Sequence, residues 1–84
     1  MRELIHKHSA HVSGGDGTIY EALIYGQSRV DGSWIGWLEF TPLTGGHVLR
    51  TARETSQPDR DALVYWAGGL EPLYLEGALE RALP

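Results

Sequence analysis

The chain has 84 residues, of which 42% are hydrophobic, a formal net charge of −4 and no cysteine. That length suits one domain, 1–84, with a small core. The missing cysteines exclude disulfides and thiolate metal sites, and no apolar run nears the ~18 residues of a membrane span. Met1–His8 lacks the apolar stretch of a signal peptide, so a soluble, cytoplasmic protein is expected.

The charge is unevenly spread. Residues 1–53 balance Arg2, Lys7, Arg29, Arg50 and Arg53 against Glu3, Asp16, Glu21, Asp31 and Glu39. The remainder sets Arg60 and Arg81 against Glu54, Asp59, Asp61, Glu71, Glu76 and Glu80, so the net −4 lies in residues 54–84. An acidic surface repels nucleic acid and anionic membranes and attracts basic partners. The plainer reading is a helix surface kept solvated by its charge.

Residues 3–12 alternate, with Leu4, His6, His8, Ala10 and Val12 on one side. Period two predicts a half-buried strand, and Lys7 suits an edge position. Ser13-Gly14-Gly15-Asp16-Gly17 reads as a turn; it lacks the Gly-Lys-Ser/Thr ending of a phosphate-binding loop. Residues 18–29 are rich in strand formers and lead into Asp31-Gly32, a strong hairpin signal.

A two-residue turn at Asp31-Gly32 sets a register in which Tyr25 faces Leu38 and Gly26 faces Trp37. It puts Ile19, Leu23, Tyr25, Trp34, Leu38 and Phe40 on the core face. The second face then holds Tyr20, Ala22, Ile24, Ile35 and Trp37, too apolar for a sheet side left to solvent. The central strand is Ser33–Thr41, which carries two of the three tryptophans and the only phenylalanine. Gly45-Gly46 predicts a second hairpin and a fourth strand over 47–54, with Arg50 opposite Thr41.

Ser56 is the expected N-cap of a first helix that ends at Gly68-Gly69. Pro72 starts a second, with Leu75, Ala78, Leu79, Ala82 and Leu83 at helical spacing and Gly77 pointing to a close backbone approach. The fold expected is α+β: a four-stranded antiparallel meander (sheet about 3–54) followed by two short C-terminal helices (about 57–83) packed on one sheet face. The alternative is a small, partly closed barrel with appended helices.

No catalytic motif stands out. There is no Gly-x-Ser-x-Gly elbow and no carboxylate pair that the sequence places in a pocket, so the chain reads as non-enzymatic and without a cofactor. His6 and His8, with His11 and His47, are the weak metal candidates, because side chains at i and i+2 of a strand point the same way. Sheet aromatics such as Tyr20 and Trp37 could stack single-stranded bases. With one lysine and an acidic balance, nucleic acid is nevertheless an unfavoured partner. The expectation is therefore a protein–protein interaction or regulatory module. It would be homo-oligomeric through Tyr20, Ile24, Ile35 and Trp37, or else the small acidic subunit of a complex with a larger, basic protein.

Overall fold

The computed structural model covers Met1–Pro84. Five strands precede two helices: β1 (Glu3–Ser13), β2 (Ile19–Ser28), β3 (Trp34–Pro42), β4 (Leu49–Arg50), β5 (Thr55–Gln57), α1 (Arg60–Gly68) and α2 (Pro72–Ala82). The strands pair antiparallel in the order β1-β2-β3-β4, with β5 also on β3. The sheet stays open, so the α+β expectation holds and the barrel does not.

β1 lies at the edge, and its pairing with β2 is broken between Leu4 and His6 and again between Lys7 and His11. Such irregularities, with Lys7 bound to Glu21 at 3.0 Å, make the edge a poor template for another strand. The opposite edge is short. Arg50 pairs with Glu39, and the chain then bulges at Ala52-Arg53 before Thr55 rejoins β3 opposite Gly36. Thr51 bridges the gap, accepting the Leu38 N–H on its hydroxyl at 3.1 Å and donating its own N–H to the Leu38 carbonyl. Of the single fourth strand expected over 47–54 only Leu49–Arg50 forms, and the second fragment on β3, Thr55–Gln57, lies beyond it. Leu49 pairs with Phe40 on the core side, and the connecting turn is wider than Gly45-Gly46 alone.

The β2–β3 hairpin departs from expectation by one residue. Its loop is Val30-Asp31-Gly32, closed by Arg29 N–H donating to the Ser33 carbonyl at 2.7 Å. Gly32 alone has positive φ, at 88°, whereas a two-residue type I′ turn also needs it at Asp31. The Asp31 carboxylate instead accepts from the Ser33 N–H (2.9 Å) and hydroxyl (2.6 Å), which favours the longer loop. A one-residue slip exchanges the faces of one strand relative to its neighbour. Tyr20, Ala22 and Ile24 therefore lie on the core face with Leu38 and Phe40, while Ile19, Leu23 and Tyr25 lie on the other with Ile35 and Trp37.

In this register Gly26 pairs with Gly36. The two form a notch filled by the fully buried Leu63 of α1. A Cβ on Gly26 would stand 2.4 Å from one Leu63 methyl, and a Cβ on Gly36 2.7 Å from the other. Leu75, Ala78 and Leu79 of α2 extend the core over Val12, Tyr20 and Phe40.

Because Thr55–Gln57 is held by β3, the cap of α1 shifts from Ser56 to Asp59, whose carboxylate accepts the Ala62 N–H at 2.8 Å. Pro72 occupies the first turn of α2 as expected. Gly77 meets no other backbone: an added Cβ there would touch only the Arg81 guanidinium, at 3.3 Å.

Candidate interaction surfaces

The four residues read as one partner-binding face are split by the register. Tyr20 and Ile24 are buried beneath the helices and offer a partner nothing, while Ile35 and Trp37 remain on the far side of the sheet. Even there Trp37 is only 2% exposed. Its indole N–H donates to Glu39 at 2.9 Å, and the Arg50 guanidinium lies over its ring at 4.3 Å. Arg2 bridges both oxygens of Glu39 at 2.8 and 2.9 Å and covers Tyr25 at 4.2 Å. Arg2, anchored on the buried Glu39 carboxylate, and Arg50, stacked on Trp37, thus roof the aromatic centre of this face through charge-assisted and cation–π contacts. The same roof removes the open ring that a stacked base would need at Trp37.

The histidines are placed by packing. The His8 Nδ1 accepts the Ala10 N–H at 3.3 Å, so its proton sits on Nε2, which donates to the Leu70 carbonyl at 2.9 Å. His8 is a clip between the edge strand and the α1–α2 connection, and both ring nitrogens are in use. His6 stands edge-on to it with centroids 6.0 Å apart. No group of three or more His, Asp or Glu side chains is close enough to hold a metal ion.

A second polar cluster fixes α2. Glu54 accepts from the Tyr74 hydroxyl at 2.6 Å and from Arg81 at 2.6 and 3.1 Å. Burial works to raise the Glu54 pKa, but the Arg81 and Tyr74 hydrogen bonds outweigh it and hold the carboxyl below its ordinary value. Burial and the neighbouring carboxylate push the Tyr74 hydroxyl up to about 12. The Glu54 carboxylate is spent on Tyr74 and Arg81, so the cluster reads as a staple between α2 and the segment before β5. A depressed carboxyl stabilises the fold fully above its unfolded pKa and loses that contribution as pH falls through the folded one. Glu54→Gln should therefore cost about 1–3 kcal/mol near pH 7 and much less near pH 3, read from urea unfolding at both. An undiminished difference in acid would mean that the charged staple is not its source.

The surface that nothing covers is on the helices. On the outer side of α1, Tyr65 is 87% exposed beside the exposed Val64; on α2, Leu73 is 79% exposed. Val64, Tyr65, Trp66, Gly68, Gly69 and Leu70 line a shallow groove of ≈ 690 Å³. A second, of ≈ 430 Å³, continues from Gly69 and Leu70 to Leu73 and Tyr74. Trp66 and Tyr74 pack edge to face beneath it, with centroids 5.9 Å apart. Helical spacing gives the inward residues of the second helix but singles out neither Tyr65 nor Leu73. The available signal was that the outward stripe of α1, Asp61-Val64-Tyr65-Gly68, is half apolar where a solvated helix should be polar.

No helix is long and apolar enough to cross a membrane. No protein family matches the chain, and no curated protein or solved structure is detectably similar to it.

Proposed function

We propose that the chain is a non-enzymatic protein–protein interaction module whose contact surface is the outer side of the helix layer around the α1–α2 connection. The observation that carries this reading is the joined groove between Tyr65 and Leu73, both almost wholly exposed while the aromatics of the open sheet face are roofed. Exposed tyrosine and leucine around a shallow, preformed depression, with tryptophan and tyrosine rings beneath it, are the composition of an interface centre. Self-assembly through the sheet face has less support, because a partner there would first have to displace Arg2 and Arg50. Leu4, paired with Tyr25, is an apolar contact that face still offers, at 48% exposure.

A photo-crosslinking residue placed at position 65 and, separately, at the exposed loop position 43 tests the reading in the native cell. Position 65 should give a discrete adduct that Leu73→Asp abolishes, and position 43 none. An adduct of twice the chain mass would identify the partner as a second copy and still support an interaction surface. No adduct from position 65, or the same adducts from both positions, would overturn it.

A further inference from the structure

Resting on that reading, we infer that the partner docks a cationic, amphipathic helical segment, with its aliphatic side chains in the groove between Tyr65 and Leu73 and its lysines or arginines against the surrounding carboxylates.

The helix layer contains two cations. Arg60 is bound to Glu3 of β1, and Arg81 to Glu54. Each has its direct ion pair with a carboxylate outside the helices, although Arg60 also feels the charge of Asp61. Asp61, Glu71, Glu76 and Glu80 take part in none of the four ion pairs in the molecule. Glu71 lines the groove itself between Leu70 and Leu73, and Asp61 lies one turn before Tyr65 on the same exposed side of α1. The unpaired cations, Arg29, Arg50 and Arg53, all belong to the sheet and its loops.

This segregation also bears on a second copy as occupant. A two-fold contact of the helix surface with itself would set Asp61 and Glu71 against the same acidic rim, a like-charge juxtaposition that opposes association. A partner bearing the opposite charge gains long-range attraction and register from that rim, while the apolar groove supplies the anchor.

The test uses three peptides with the same leucine spacing along an amphipathic helix, their polar positions filled by lysine, glutamine or glutamate. They are titrated into the isotope-labelled full chain while its backbone amides are followed by NMR. The Leu/Lys peptide should shift the amides of Tyr65, Gly69, Leu70 and Leu73 saturably, and the Leu/Glu peptide should not bind. Tyr65→Ala, at an exposed position that leaves folding intact, should weaken binding about tenfold, and Leu43→Ala should leave it unchanged. Raising salt from about 0.05 to about 0.5 M should weaken it several-fold.

Equal binding of the Leu/Gln peptide at the same amides would remove the cationic class but keep the docking surface. Concentration-dependent self-association lost in Tyr65→Ala would replace the cationic partner by a second copy. Binding of the Leu/Lys peptide that spreads over every acidic residue and ignores Tyr65→Ala would overturn both this inference and the interaction reading.

Discussion

Leu63→Ala should lower the unfolding free energy by an amount near the upper end of about 2–5 kcal/mol, a large part of the roughly 4–13 kcal/mol expected for a chain of this length. Leu63 is fully buried, and its two methyls fill the notch between paired glycines on adjacent strands. Truncation leaves a void whose floor is backbone, which cannot collapse as side chains would. The converse change, Gly36→Ala, should cost about 1–3 kcal/mol alone, because its Cβ would meet Leu63 at 2.7 Å and Thr55 at 3.1 Å. Rotating Leu63 away brings its other methyl closer to the Gly26 side of the notch. Combined, the two substitutions should cost less than their sum, since the added methyl enters the space Leu63 vacates. Urea unfolding of the four proteins in this cycle measures the coupling. Strict additivity would mean that the notch and the leucine are not fitted to one another.

Trp37→Glu should leave the chain largely unfolded at 25 °C. Removing a buried tryptophan costs about 3–5 kcal/mol, and burying a new carboxylate adds to it. The new carboxylate would stand on the same sheet face as Glu39, two residues along the strand, where Arg2 is already committed to the Glu39 charge. Circular dichroism and urea unfolding would show this directly. A folded variant of ordinary stability would mean that the roof of Arg2 and Arg50 is loose and that Trp37 is accessible from solvent. The sheet face would then return as a candidate for self-association.

The element types and their order were legible in the sequence because each carries its own periodicity and punctuation. Alternation marks β1, strand formers around Asp31-Gly32 mark β2 and β3, Gly68-Gly69 and Pro72 separate the helices, and Leu49 falls on the core side under either register of the fourth strand. What failed was the count across one loop. Asp31-Gly32 suits both a two-residue and a three-residue connection, and the choice turns on a hydrogen bond from Ser33 to the Asp31 side chain, which no periodicity reports. That one residue decided which half of β2 faced the helices, and with it the assignment of Tyr20 and Ile24. A cue was present: only the three-residue loop sets Gly26 against Gly36, giving a helix leucine a place to enter. The roof over Trp37 was hidden for another reason. It joins Arg2, Glu39 and Arg50 from three separate segments, and such a contact exists only once the sheet is formed.

The order of elements also has a bearing on how the protein is made. Every strand precedes both helices, yet the helices are the only cover for Tyr20, Ala22, Ile24, Leu38 and Phe40. During synthesis the hairpin of β2 and β3 emerges with its apolar side bare, and must wait for Leu63, Leu75 and Leu79 before it can be sealed. In that interval the growing chain is an aggregation hazard. Its broken edge strand and its arginine-capped far side are then the only protection it has against its neighbours on the same messenger.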